Sequence, residues 1–120
     1  MADRVLFLSW STAVRGREER SLEVFNDAVG LYGRMQQEGR IERFDIVLLE
    51  PNTHLGGYFA LHGSAEQLAA VREDEEFREL LVAAELIVEQ LHIASGATNA
   101  GIAVEMERYQ RQIALVPQAH

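Results

Sequence analysis

The chain has 120 residues, the length of one domain, with a formal net charge of -8 and neither cysteine nor lysine. The missing residue types exclude disulfides, thiolate chemistry and lysine Schiff bases, and the acidic charge argues against a nucleic-acid partner, whose backbone attracts clustered basic side chains. No apolar run approaches the length that crosses a bilayer, and the N-terminus lacks a signal-peptide pattern, so we expect a cytoplasmic protein with no membrane partner.

The first two elements are a strand and a long helix. Val5 to Trp10 form a nearly continuous apolar run, which predicts a central strand covered on both faces. From residue 18 to residue 38 apolar side chains recur at three- and four-residue spacing, which predicts an amphipathic helix. Gly39 follows this segment, at a position where a left-handed helix cap is common.

Two strands of a hairpin come next. Residues 41–50 and 58–63 alternate between apolar and polar side chains, as half-buried strands do. Pro51 to Gly57 supply turn residues between them. Because this gap is short, we expect the two strands to pair antiparallel.

The second half of the chain begins with a helix that carries its own start signal. Ser64 and Gln67 have the spacing of a capping box. The charged stretch around Asp74 predicts a break, or a second short helix. We expect the final strand at about residues 85–94, followed by a last helix whose apolar stripe contains Ile102, Met106, Tyr109 and Ile113.

The order strand, helix, strand, strand, helix, strand predicts a single α+β domain over residues 1–120. Right-handed crossovers give a ferredoxin-like fold, with a four-stranded antiparallel sheet, helices on one face and an extra C-terminal helix. The first and third strands should be central. Alternation places Phe44, Ile46, Leu48, Phe59 and Leu61 on the helix-covered face.

The other face of the sheet has no helix to cover it. By alternation this open face carries Arg43, Asp45, Tyr58, His62, Gln90 and His92, mixed with Phe7, Val47 and Leu49. The mixture is too apolar for a solvated sheet and too polar for an ordinary core. A homodimer that pairs two open faces, extended by the last helix, resolves this conflict.

In this element order, and in the run from Phe77 to Gly96, the chain resembles the dimeric α/β-barrel superfamily. The resemblance covers about residues 4 to 113 and contains no catalytic motif. It implies two ferredoxin-like subunits that pack sheet to sheet, with a cavity beside each sheet. The superfamily includes cofactor-free monooxygenases, isomerases, dehydratases, haem-degrading enzymes and small-ligand sensors, so the fold narrows function little.

His62 is the best candidate for a catalytic residue. If Glu50 pairs with Gly57 across the hairpin, Asp45 falls opposite His62, and cross-strand partners have Cβ atoms about 5 Å apart. The carboxylate would hold one ring nitrogen and leave the other to act as a base. In the alternative interpretation, His62 is a surface or interface histidine with an ordinary hydrogen bond.

The pairing depends on the register, since a shift of two would place Arg43 or Val47 opposite His62. In an enzyme, Arg43 or Tyr58 would stabilise a developing oxyanion. Phe7, Trp10, Tyr32 and Tyr58 are candidates for the walls of an apolar pocket, and core or interface packing is the alternative for them.

We expect no metal and no cofactor. His92 shares the open face with His62, but with the last strand antiparallel and the third strand parallel to the first, the two rings should be about 15 Å apart. A metal needs donors that converge within about 2 Å of the ion, so only a site shared across the dimer stays open. Glu89 should face the helices at the sheet edge, unless the alternation of the last strand is inverted and Glu89 replaces His92 in the cavity.

Three functions follow as hypotheses. The chain binds a small apolar molecule in a cavity on the open face, or it is a cofactor-independent monooxygenase, isomerase or lyase that acts on a small apolar or aromatic substrate. In the third, it is a structural dimer without a ligand.

Overall fold

The computed structural model describes residues 2–117 and 119, and the order of its elements confirms the predicted one. The strands are β1 (Arg4–Trp10), β2 (Arg43–Leu48), β3 (Gly57–Gly63) and β4 (His92–Ala97), and the helices are α1 (Glu18–Gln37), α2 (Ala65–Glu73), α3 (Glu75–Glu85) and α4 (Ala100–Ile113). The sheet has the strand order β2-β3-β1-β4, and every neighbouring pair is antiparallel. This is the ferredoxin-like arrangement, with β1 and β3 in the centre.

The core lies between one face of the sheet and the helices α1, α2 and α3. Its most buried large side chains are Leu6, Leu61, Tyr32, Met35, Ile41, Val71 and Phe77. The predicted helix-facing residues Phe59 and Leu61 are buried, and Phe44 packs against the core. Ile46 and Leu48 share that face, but they are 39% and 66% exposed because β2 is an edge strand and its far half projects beyond the helices.

The predicted register of the hairpin is wrong by two residues. Leu48, not Glu50, pairs with Gly57, and Arg43, not Asp45, stands opposite His62.

The loop chemistry explains this register. The Asn52 side chain donates to the carbonyls of Glu50 and Leu55 and accepts from the N–H groups of His54 and Leu55, so strand pairing stops at Leu49 and Gly56. The Asn52 side chain therefore holds the loop, and the pairing of β2 with β3 is not extended into it.

The last strand begins later than predicted. Residues 77–84 keep a helical spacing of apolar side chains, and α3 continues to Glu85. The following segment, residues 86–91, crosses the end of β1, where Ser11 N–H donates to the Glu89 carbonyl and Val14 N–H donates to the Ile87 carbonyl. Gln90, expected on the open face, lies in this segment with a positive φ of 55°.

Two predicted helix signals are confirmed. The Ser64 hydroxyl accepts from the Gln67 N–H, and the Gln67 side chain accepts from the Ser64 N–H, which completes the capping box. Asp74 ends α2 and caps α3, since its carboxylate accepts from the Phe77 N–H at 3.0 Å. Beyond this break α3 packs against α1 and α2.

The helix α4 leaves the body of the molecule. Of its residues only Gly101 is buried, close beneath the Asp3 carbonyl at the start of β1. The radius of gyration is 17.0 Å, whereas a compact chain of this length has about 14 Å. The extra length indicates that α4 projects as an arm.

Replacing Asp74 tests the junction of α2 and α3. Burial acts to raise the pKa of Asp74, but the Phe77 N–H and Arg40 hydrogen bonds outweigh it and hold the pKa below its ordinary value. We expect Asp74→Ala to lower the free energy of unfolding in urea at pH 7 by about 1–2 kcal/mol through loss of the cap. Asp74→Asn keeps a capping side chain and should cost less.

The same variants have a pH signature. A lowered folded-state pKa means that the charged form of Asp74 stabilises the fold fully above its unfolded-state pKa, and this contribution is lost as the pH falls through the folded-state value. Below about pH 4 the wild type should therefore lose its stability advantage over Asp74→Asn. Equal unfolding midpoints for wild type and Asp74→Ala at pH 7 would contradict the assigned role.

Candidate functional site

The sheet divides the predicted site residues between its two faces. The open face carries Phe7, Arg43, Asp45, Tyr58, His62 and His92, whereas Trp10 lies on the helix-covered face. The structure therefore does not assemble all of them into one site. Each face has its own geometry and is described in turn.

On the open face Arg43, Asp45 and His62 form a connected group. Asp45 accepts from His62 Nε2 at 2.9 Å and from Arg43 Nη1 at 2.8 Å. His62 stands opposite Arg43, so its contact with Asp45 is diagonal across the hairpin. The predicted contact between Asp45 and His62 thus exists in a register that differs from the predicted one.

The charges of this group fix the His62 tautomer. Burial acts to raise the pKa of Asp45, but the hydrogen bonds from His62 and Arg43 and the positive charge of Arg43 outweigh it and lower the pKa below its ordinary value. An ionised carboxylate only accepts hydrogen bonds, so Nε2 of His62 carries the proton. Nδ1 of the neutral ring is then an acceptor; it is buried, and nothing in residues 2–117 or 119 donates to it.

The other predicted residues of this face stand further along the sheet. The Phe7 and Tyr58 rings pack with their centroids 4.9 Å apart. His92 is exposed at the start of β4, opposite Ser9 of β1, while His62 is opposite Val5. A sheet that contains both a half-buried ring pair and a buried histidine is unlike a fully solvated surface.

The strand directions used to separate the two histidines need one correction. The strand β3 runs antiparallel to β1, not parallel to it, as the fold class requires. The register nevertheless puts His62 and His92 four residues and two strands apart, about 16 Å. Glu89 lies outside β4, in the segment before it, so it enters the site in neither of the two predicted ways.

An apolar cleft of about 260 Å³ lies on the other face of the sheet, between the sheet, α1 and α3. Trp10, Phe25, Tyr32 and Phe59 form its aromatic wall. The Phe59 ring is 5.7 Å from Trp10, 5.4 Å from Phe25 and 5.0 Å from Tyr32, measured between centroids. This cleft lies on the helix-covered face of the sheet, whereas a ligand cavity was predicted on the open face.

Two of the aromatic side chains that line the cleft, Tyr32 and Trp10, carry a polar group. Burial raises the pKa of the Tyr32 hydroxyl far above its ordinary value, so the phenol stays protonated and can donate. The Trp10 indole N–H is the second donor. In the described part of the chain, the hydrogen bonds formed by side chains use neither of them.

Glycines hold the Trp10 ring in place. A Cβ added to Gly57 would lie 2.9 Å from the Trp10 ring and 2.6 Å from the Val47 carbonyl, and one added to Gly56 would lie 2.2 Å from the Ser11 carbonyl. Because neither residue has a Cβ, this pair of glycines lets the hairpin approach the indole closely.

Sequence reasoning missed most of the cleft. Apart from Trp10 and Tyr32, its lining consists of residues that were not predicted as ligand contacts: Leu8, Ala13, Ser21, Leu22, Val24, Phe25, Ala28, Leu48, Phe59, Leu80, Leu81, Ala84, Ile87, Val88 and Leu91. One signal was available, since Leu22 and Phe25 recur on the stripe that faces the sheet. An apolar stripe in the sequence does not show whether that face of the helix packs fully against the sheet or leaves a gap.

No family model matches the chain, and no curated protein matches it. Solved structures do match. A dimeric ferredoxin-like protein of unknown function from Jannaschia sp. CCS1 has a TM-score of 0.63 and 9% identity over 79% of this chain and 98% of that one. A dimeric protein of unknown function with a ferredoxin-like fold from Bacteroides fragilis has a TM-score of 0.59 and 10% identity over 79% and 96%.

A third similar structure is an enzyme. SnoaB, a cofactor-independent oxygenase from Streptomyces nogalater, has a TM-score of 0.54 and 15% identity over 82% of this chain and 94% of its own. At these identities the likeness shows the fold, and it confirms the predicted fold-level resemblance. Separately, none of the helices in the described residues is long and apolar enough to cross a membrane.

The His62 tautomer can be observed directly. At pH 7.5 we expect nitrogen NMR of the labelled protein to show His62 protonated at Nε2 and not at Nδ1. Asp45→Ala removes the acceptor and should abolish this preference, with a loss of about 1 kcal/mol in unfolding free energy. Arg43→Gln, which leaves Asp45 in place, is the matched control and should keep the tautomer. A proton on Nδ1 in the wild type would contradict the assignment.

Proposed function

We propose that the protein binds a small apolar molecule in the cleft between α1, α3 and the sheet. The observation that carries this proposal is an aromatic-walled gap of about 260 Å³ in a part of the molecule where side chains normally pack to high density. The cleft is open and leaves apolar surface in contact with water, and an apolar ligand that covers this surface would be bound favourably.

The lining favours a planar aromatic ligand with one oxygen. Four rings offer edge and face contacts, and the Tyr32 hydroxyl and Trp10 N–H can donate to a carbonyl or hydroxyl oxygen. Because desolvation keeps Tyr32 protonated, it serves as a donor and not as a base. A bicyclic aromatic alcohol or ketone matches both features.

A cofactor-independent oxygenase is the second candidate, since SnoaB has this fold. The cleft offers an oxyanion donor in Tyr32, but its lining among the described residues contains no histidine and no carboxylate. The pair of Asp45 and His62 stands on the opposite face of the sheet. A substrate in this cleft would thus lack a protein base, which favours binding over catalysis.

The open face favours a homodimer. Half-buried apolar residues, Phe7, Val47 and Tyr58, lie beside the buried acceptor of His62, a combination that a second copy would cover. The two ferredoxin-like neighbours described above are dimeric proteins. Pairing of two open faces about a two-fold axis remains our proposal for the assembly.

Filling the cleft tests the binding site. Naphthol is a suitable probe, and the emission of Trp10, the single tryptophan, reports its arrival. Ala84→Phe places a ring in the cleft and should weaken naphthol binding about tenfold or more, since a displaced ring forfeits well over 50 Å² of apolar contact. Ala69→Phe, an exposed site on α2, is the matched control and should bind like the wild type.

One further variant, His62→Gln, separates this site from the open face. His62→Gln should leave naphthol affinity unchanged, because His62 does not line the cleft. If Ala84→Phe bound naphthol with unchanged affinity and His62→Gln bound it more weakly, the binding site would lie on the open face. Oxygen uptake on a panel of aromatic phenols, absent under our proposal, would support the oxygenase instead.

Charge on the open face tests the dimer. We expect Val47→Arg, at the half-buried edge of this face, to convert a dimer into a monomer in native mass spectrometry, because a buried unpaired charge is costly. Ala70→Arg, on the exposed surface of α2, should leave the dimer intact. A wild type that is monomeric at micromolar concentration would contradict the proposal.

A further inference from the structure

We propose that α4 of each subunit packs over the mouth of the cleft in the partner subunit, so that the ligand site is completed by a second copy of the chain. The proposal rests on the cleft and the homodimer proposed above. It starts from two apolar surfaces that are exposed on one chain but cannot meet within it.

The first surface is the arm itself. Ile102, Met106 and Tyr109 share one face of α4 and are 49%, 51% and 64% exposed, and Leu115, just beyond the helix, is 76% exposed. A lone helix of this length, 14 residues, is marginal in water. Burial of its apolar face against another surface would therefore stabilise α4.

The second surface is the rim of the cleft. Leu22 of α1 and Leu48 of β2 line the cleft and are 64% and 66% exposed, and Leu86, which follows α3, is 60% exposed. An uncovered opening leaves one side of any bound ligand, together with the apolar side chains around it, in contact with water. An apolar surface placed over the opening would exclude this water.

The two surfaces lie at opposite ends of the sheet. The cleft opens near Trp10 and Ala13, where β1 ends, whereas α4 starts beside Ala2 and Asp3, where β1 begins. The seven residues of β1 span roughly 20 Å. The arm of one chain therefore starts at the wrong end to cover its own cleft.

A two-fold dimer removes this obstacle. For two stacked sheets the axis lies in the plane between them, and when it runs across the strands, opposite ends of the two sheets coincide. The start of one subunit's α4 then lies over the end of the partner's sheet where the cleft opens. Two stacked sheets lie about 10 Å apart, and the partner's helix layer lies about as far beyond its sheet. Since α4 is roughly 21 Å long, it can span this distance.

The area is sufficient for a stable assembly. The four exposed apolar side chains of the arm present on the order of 500 Å². Each subunit gives one arm and receives another, so about twice this area is buried per subunit, above the roughly 800 Å² per partner of a standard interface. These contacts add to those of the paired open faces.

Engineered cysteines provide the test, since the natural chain has none. Met106→Cys and Leu22→Cys proteins are mixed and oxidised, and we expect a disulfide-linked pair on a non-reducing gel. Tyr109→Cys with Leu48→Cys is a second pair in case the first is misaligned. All four positions are exposed, so the fold should tolerate the changes. Met106→Cys with Ala70→Cys, on the surface of α2, is the control and should not cross-link.

The outcomes separate this proposal from the proposed function. Cross-links confined to pairs of Met106→Cys subunits would mean that the two α4 helices pack on each other. Cross-links equal to those of the control would mean random collision. Either result would overturn the proposal that α4 covers the partner's cleft. Naphthol binding to the wild type, followed by Trp10 emission, tests the cleft independently. In Met106→Asp we expect that affinity to fall about tenfold, since the cover is lost; unchanged affinity would also overturn the proposal.

Discussion

The packing of Phe59 holds this structure together. Its ring, at the centre of the sheet, contacts Trp10 of β1 and both Phe25 and Tyr32 of α1, with centroid distances between 5.0 and 5.7 Å. Pairs of this kind contribute about 0.5–1.5 kcal/mol each beyond the burial of area. They fix α1 against the sheet, and the same rings form the aromatic wall of the cleft.

The alternation of a strand then separates two chemistries. Along β1 and β3 each residue that faces the helices is followed by one that faces away, so the aromatic cleft and the Arg43, Asp45 and His62 group stand back to back on one sheet. The polar group belongs to the open face, where it lies beside apolar side chains that a second subunit would cover. In our proposal, ligand binding and assembly use different faces of the sheet, and α4 connects them.

Much of the fold follows from local signals in the sequence. The capping box at Ser64 and the break at Asp74 are side-chain hydrogen bonds within three residues, and such bonds can be inferred from spacing. The contact between Asp45 and His62 was anticipated because both residues had to face the same way, and a shift of two residues preserves that direction. The register itself depends on how Asn52 closes the loop, which no alternation pattern records. The cleft could not be foreseen, because a gap between α1, α3 and the sheet is a property of how three stripes meet and not of any one of them.

We propose that the ligand occupies the helix-covered face of the sheet. A crystal structure of the protein soaked with naphthol tests it most directly. We expect density for the ring in the cleft against Trp10, Phe25 and Phe59, with its oxygen within hydrogen-bond distance of Tyr32 or the Trp10 N–H. Density on the open face, against Tyr58 and His62, with an empty cleft would contradict it.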